Sequence, residues 1–137
     1  MLQCEIVTPE SKLYSDEANF VVIPASEGEM GIYQMHEPVV TTLKAGTVRV
    51  TEHDGSEPKR FIVAGGYARV EAESVTVLAS HAAALQELDE TAIKVHIDDL
   101  KEKMADLKDD DPNRAFIEDE VKWNQVLLEQ TKSIVAK

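Results

Sequence analysis

Residues 74–107, SVTVLASHAAALQELDETAIKVHIDDLKEKMADL, hold the point at which the apolar residues change their period. The run Val75-Thr76-Val77-Leu78-Ala79 reads as a strand, in which successive side chains pass to opposite faces. Beyond it, Ile93, Ile97, Leu100, Met104 and Leu107 recur at spacings of four and three. That places them along one face of a helix, with Asp98, Lys101, Glu102 and Asp106 mostly off it. The chain is therefore read as β followed by α. The junction falls in Ser80 to Glu87, where Ala82-Ala83-Ala84 permits either a linker or a helix start, and the division is drawn as 1–84 and 85–137.

Working back toward residue 1, short apolar runs are broken by Gly, Pro or Asp at intervals of about 8 to 12 residues, as in a sandwich or a barrel. Thr8-Pro9-Glu10-Ser11 closes the first run, and Phe20-Val21-Val22-Ile23 is expected to stop at Pro24, which has no N–H to give a ladder. Thr47-Val48-Arg49-Val50-Thr51 leads into His53-Asp54-Gly55-Ser56, where Asp-Gly suits a hairpin turn and pairs two strands. Arg60 to Ala64, Gly65-Gly66, and Tyr67 to Val70 supply a further strand, turn and strand, with Val75 to Ala79 as the last strand.

Working forward, the first helix is interrupted at Asp109-Asp110-Asp111-Pro112-Asn113. Asp111 can cap a second helix whose first turn accepts Pro112, because the N–H that proline lacks has no partner there. Phe116, Ile117, Val121, Leu128 and Val135 form the expected apolar stripe of that helix. Two amphipathic helices joined by so short a turn pack as an antiparallel hairpin or lie on another surface. At ~25 cal/mol per Å² a handful of aliphatic side chains supplies only several kcal/mol, offset by ordering entropy. Such a hairpin is marginal by itself and could move.

The 137 residues are 43% hydrophobic, enough for one domain of ordinary size or a small domain with an appendage. With 26 acidic against 14 basic residues the formal charge is −12, a field that repels nucleic-acid phosphates and anionic headgroups, so basic protein patches are the expected partners. Cys4 is the single cysteine, which excludes an internal disulfide. It alternates with Leu2 and Ile6 and reads as a small buried apolar residue. MLQCEIVTPE lacks the basic and apolar regions of a signal peptide, and no apolar run approaches the ~20 residues of a membrane span. The lack of a transit segment favours a bacterial source.

Chemistry is scarce. The histidines at 36, 53, 81 and 96 show neither H-x-x-x-H nor H-E-x-x-H spacing, and no cysteine pair completes a zinc site. His53 reads as a solvated loop residue and His96 as a boundary position on the first helix. Gly28-Glu29-Met30-Gly31 lacks the Lys-Ser/Thr of a P-loop and the third glycine of a dinucleotide loop, and its acidic neighbours oppose a phosphate. Its glycines read as devices for a tight turn and close approach by a partner. No activated nucleophile is visible, so no catalytic residue, cofactor or metal ligand is assigned.

Ser26-Glu27-Gly28-Glu29-Met30-Gly31-Ile32-Tyr33, followed by His36, Pro38 and Leu43-Lys44-Ala45-Gly46, resembles the signature of the ATP synthase epsilon-subunit family. Ile6-Val7-Thr8-Pro9, Gly65-Gly66-Tyr67 and Val75 to Ala79 extend the resemblance over most of residues 6–79, while the helical half matches in architecture more than in motif. The resemblance implies an N-terminal β-sandwich of about ten strands and a C-terminal two-helix hairpin. It also implies a non-catalytic place in the rotor at the cytoplasmic face of the inner membrane. There the sandwich would bind the gamma subunit and the c-ring, passing proton-driven rotation to the catalytic head. Glu29, Met30, Gly31 and His36 match the region that faces the c-ring, and His36 serves equally as a brace of its turn. The alternative is a free-standing adaptor of the same architecture for an unrelated partner.

Two departures matter. Gln34-Met35 precedes His36 where Pro-Gly is common in the family, so the turn is shaped differently. Leu88, Asp89 and Ala92 stand in the segment where ATP-binding members carry Ile-Asp-x-x-Arg-Ala, with Ala92 in place of the arginine. Loss of that guanidinium fork removes the main phosphate donor, and weak or absent regulatory ATP binding is expected. The resemblance also implies a regulatory role, in which the hairpin can fold against the sandwich or extend along gamma to the alpha/beta head and inhibit hydrolysis. Its last helix offers only modest basic charge for that, since Arg114, Lys122, Lys132 and Lys137 are offset by Glu118, Asp119, Glu120 and Glu129.

Overall fold

The computed structural model describes the backbone of residues 1–135 and the side chains of residues 1–133. The chain divides into two compact units, Met1–Gln86 and Glu87–Lys137.

The first unit holds ten strands: β1 Leu2–Val7, β2 Lys12–Ala18, β3 Phe20–Ala25, β4 Gly28–Ile32, β5 Val39–Thr42, β6 Gly46–Thr51, β7 Lys59–Ala64, β8 Tyr67–Val70, β9 Ser74–Leu78 and β10 His81–Ala84. They form two five-stranded sheets, ordered β2-β1-β9-β8-β5 and β10-β7-β6-β3-β4. All pairings are antiparallel except β1 with β9, which run parallel with Cys4 beside Val75 and Val7 beside Leu78. The core lies between the sheets and is filled by the inward half of each alternation: Leu2, Cys4 and Ile6 from β1, Val21 and Ile23 from β3, Val48 and Val50 from β6, Val75 and Val77 from β9. The expected β6–β7 hairpin forms, with Val50 beside Lys59, and its loop turns at Asp54-Gly55, where Gly55 has φ 79° and Ser56 N–H donates to His53 O at 3.1 Å.

Two local expectations are corrected. β3 does not stop at Pro24 but runs through it to Ala25. Pro24 lies beside Glu29 of β4, yet its carbonyl accepts from Lys44 N–H on the other side of the strand at 3.0 Å. N and O of one residue point the same way in a strand, so the missing N–H never faced β4. Val75 to Ala79 is not the last strand either. His81–Ala84 pairs antiparallel with β7, placing Ala82 beside Val63, so the segment read as a linker or helix start is an edge strand followed by a 3-10 turn, Leu85–Glu87. Three alanines carry no period of their own, and the neighbouring strand decides their conformation.

The second unit is α1 Glu90–Ala105 and α2 Pro112–Val135, packed on each other. Asp89 caps α1 by accepting Thr91 N–H at 2.9 Å, and Asp111 caps α2 by accepting Asn113 N–H at 2.8 Å. Ile93, Ile97 and Leu100 are buried as expected. The stripe of α2 differs: Val121, Asn124, Leu127 and Thr131 are its buried positions, while Phe116 is 67% exposed. The spacing of three and four continues through two polar residues, Asn124 satisfying itself by donating to Glu120 O at 2.8 Å. The side chain of Val135 lies outside the described residues.

The turn between the helices is closed by Arg114, whose guanidinium donates to Met104 O at 3.1 Å and Leu107 O at 3.3 Å and pairs with Glu118 at 3.5 Å. A cation thus covers carbonyls at and just beyond the end of α1, Met104 O also accepting Leu107 N–H at 3.2 Å. Arg114→Ala is expected to destabilise the hairpin by about 1–2 kcal/mol, the scale of hydrogen bonds from a charged group. The check is the thermal loss of helical circular dichroism, where an unchanged midpoint would show that water replaces the guanidinium at no cost.

Candidate partner-binding edge

β4 and β5 are edge strands of opposite sheets, so the segment joining them, residues 33–38, crosses from one layer to the other at one edge of the sandwich. The signature residues lie on this crossing and on β4 before it. Glu29 and Gly31 alternate outward along β4, whereas Met30 is half-buried against the core and Ile32 is fully inside. Of the expected contact set, Glu29 and Gly31 are therefore exposed on the edge, His36 is half-exposed on the crossing, and Met30 supports them from beneath.

Glu29 receives Arg49 Nη1 at 2.9 Å, an ion pair that reaches across β3 from β6, with 57% of the Glu29 side chain still exposed. An exposed pair of this kind adds little stability, so the carboxylate remains available for exchange with another cation. His36 Nδ1 lies 2.7 Å from Glu37 O, which can only accept, so Nδ1 donates there and Nε2 is left for another partner. The brace and the contact readings of His36 use different nitrogens and are compatible.

Residues that the sequence reading passed over complete the edge. Continuing the β3–β4 register sets Phe20 opposite Tyr33, and their rings stack with centroids 4.3 Å apart at 22°. Gly31 makes room for the stack, since a Cβ there would stand 3.0 Å from Phe20 Cζ. The sequence signal was present in the pair of aromatics flanking β3 and β4, but only the register makes it readable.

Three other motif segments, Val7-Thr8-Pro9, Gly66-Tyr67 and Leu78-Ala79, meet at a mostly apolar cleft of about 390 Å³. Their meeting there has a packing basis: Gly66, with φ 96°, lies against the Leu78 carbonyl.

The shifted titrating groups lie away from the edge. Burial, with the Glu5 charge second, pushes the Cys4 thiol up to about 12. Burial and then the hydrogen bond to Glu52, 2.6 Å, hold the Tyr14 phenol well above its usual range, and the Tyr14 and Lys59 contacts hold the Glu52 carboxyl below its own. Each moves further from neutrality, the opposite of a poised acid or base. Among the described residues no three His, Cys, Asp or Glu side chains converge as a metal site. Of the remnant nucleotide segment, Asp89 is committed to capping α1, Leu88 is half-buried and Ala92 adds no donor. Calorimetry on the purified chain is expected to register no ATP binding in the micromolar range, and heat of binding there would refute it.

Residues 1–85 match the family model described as ATP synthase, Delta/Epsilon chain, beta-sandwich domain. The chain is 40% identical over 117 residues to an ATP synthase epsilon chain of Parvibaculum lavamentivorans, covering 85% of this chain and 88% of the relative. It is 36% identical over 135 residues to that of Hyphomonas neptunium, covering 98% and 96%. Its fold is similar to a chain in the structure of the Euglena gracilis mitochondrial ATP synthase OSCP/F1/c-ring assembly, with TM-score 0.64, 20% identity and coverage of 98% of this chain and 79% of that one. Signature, sandwich and relatives agree, and this chain belongs to the family of ATP synthase epsilon chains.

Proposed function

We propose that this chain is a non-catalytic subunit of the central stalk, whose sandwich binds the gamma subunit and whose β4–β5 edge meets the c-ring. In this reading, proton-driven rotation of the ring is carried to the catalytic head through a rigid β-unit. The observation that carries the proposal is the edge bearing Glu29, Gly31 and His36, built from the family signature on β4 and the crossing that follows it. It needs no chemistry of its own, only fixed geometry and exchangeable polar contacts. Among the described residues no helix is long and apolar enough to cross a membrane, which fits a peripheral position reached through the ring on the cytoplasmic side. The strongly acidic chain, at −12, is suited to basic protein surfaces.

The hairpin is a separate compact unit starting at Glu87, and a unit so divided can change position without disturbing the sandwich. A second role, restraint of ATP hydrolysis by contact with the alpha/beta head, rests on that division. Copurification with gamma from the same source, followed by hydrolysis assays with and without residues 88–137, tests both. Binding with faster hydrolysis after truncation is the expected result. Binding with an unchanged rate removes the inhibitory role, and failure to bind gamma returns the chain to the adaptor reading.

A further inference from the structure

Within the β4–β5 crossing stands a residue whose backbone and side chain are both in costly situations. Met35 has φ 69°, the left-handed region that glycine enters freely and a side chain with a Cβ does not, and it is the one non-glycine residue with positive φ among those described. Met35 is 73% exposed, so burial in the sandwich does not repay the strain. The conformation is held by its own N–H, which donates to Ala72 O at 2.6 Å. Two residues earlier Tyr33 is 61% exposed while its ring is fixed on Phe20. A flexible thioether and a pre-set aromatic ring, both exposed to water on one short crossing, are the composition of an interface core, where Met and Tyr are enriched. The surrounding charge is acidic on balance: Glu27, Glu29 and Glu37 are exposed there, against Arg49 paired to Glu29 and the Met1 amino group, which donates to Gln34 Oε1 at 3.0 Å.

We propose that Met35 and Tyr33 are the apolar anchor of this edge, seating in a hydrophobic socket rimmed by basic side chains on the exposed loops of the c-ring. This rests on the c-ring reading above and is continuous with Glu29 and His36. An acidic rim excludes anionic lipid headgroups as the favoured occupant. The strain at Met35 then has a use: it presents the side chain outward before binding, which lowers the ordering cost at the interface.

The test takes the full chain in complex with its gamma subunit and measures affinity for detergent-purified c-ring by interferometry, with unfolding midpoints alongside. Met35→Gly removes the anchor and relieves the backbone. It is expected to weaken ring binding about tenfold, the scale of losing a central interface side chain, while the unfolding midpoint stays level or rises. Met35→Asn, which tolerates the left-handed region, should lose affinity likewise, and Met35→Leu should stay within about twofold of the parent. Parent and Met35→Gly binding the ring equally overturns the anchor and leaves the c-ring reading standing. A parent complex that holds gamma but never binds the ring overturns both. Capture by protein-free anionic vesicles that depends on Met35 overturns the proposal in favour of a membrane contact.

Discussion

Gly66→Ala is expected to cost the sandwich more than about 4 kcal/mol, at the rare end of single substitutions. A Cβ at Gly66 would stand 2.0 Å from the Leu78 carbonyl oxygen and 2.9 Å from Ala79 Cα, in a backbone with φ 96°. Neither obstacle is a flexible side chain: Leu78 ends β9, paired with β8 and with β1, and Ala79 just beyond it is tied by its N–H to Val7 O at 2.9 Å. Gly66 cannot swing away, because its carbonyl accepts Leu43 N–H at 3.0 Å. At roughly 0.05–0.15 kcal/mol per residue a domain of this size has about as much stability as the substitution removes. Gly28→Ala is the matched control, since Gly28 has φ 135° but no atom within 4 Å of the place a Cβ would take; only backbone strain of about 1–2 kcal/mol applies. Urea unfolding of both variants decides: a Gly66→Ala midpoint no lower than that of Gly28→Ala would defeat the steric account.

The second large effect is a loss of stability in alkali. Cys4 is fully buried between the sheets, and its thiol rises from an ordinary 9.0 to about 12. The folded state therefore holds this proton more tightly than the unfolded state. Its contribution is complete below pH 9.0 and is lost as pH climbs toward about 12, a change of about 4 kcal/mol at 1.36 kcal/mol per unit. Tyr14, also raised, adds in the same direction above its ordinary 10.0. Glu52 acts at the other end: its carboxyl is lowered from 4.5, so its share is present above that pH and disappears as acid protonates it in the folded state. Cys4→Ala is expected to flatten the alkaline limb at a cost of about 1 kcal/mol at neutral pH for the small cavity, and Tyr14→Phe to flatten what is left. Identical alkaline midpoints for the parent and Cys4→Ala would rule out the thiol as the cause.

The change of period after Ala79 makes the two architectures legible, because a strand and a helix sort their side chains by different repeats and Leu2, Cys4, Ile6, Ile93, Ile97 and Leu100 follow them faithfully. Pro24 and the three alanines of β10 escape a sequence reading for one reason: their state is set by which neighbour stands on which side, and that is not local information. The inward stripe of α2 includes Asn124 and Thr131, which a search restricted to apolar residues passes over. At the edge, the signature locates Glu29, Gly31 and His36, but the inward turn of Met30 and the Phe20–Tyr33 stack follow from strand register. Met35 is visible as a departure from Pro-Gly, and its left-handed backbone explains why glycine fits that place.

The parallel seam between β1 and β9 also governs how the protein is made. Leu2–Val7 leaves the ribosome ahead of the other nine strands described, yet its place in the sheet is incomplete until Ser74–Leu78 follows. At synthesis rates of about 5–20 residues per second, the nascent β1–β2 hairpin waits for several seconds with the inward sides of Leu2, Cys4 and Ile6 lacking their final cover. Closing so long a loop is a slow event by the standards of local contacts. The helices are translated after all ten strands, so the β-unit can finish on the ribosome while the hairpin is still being decoded.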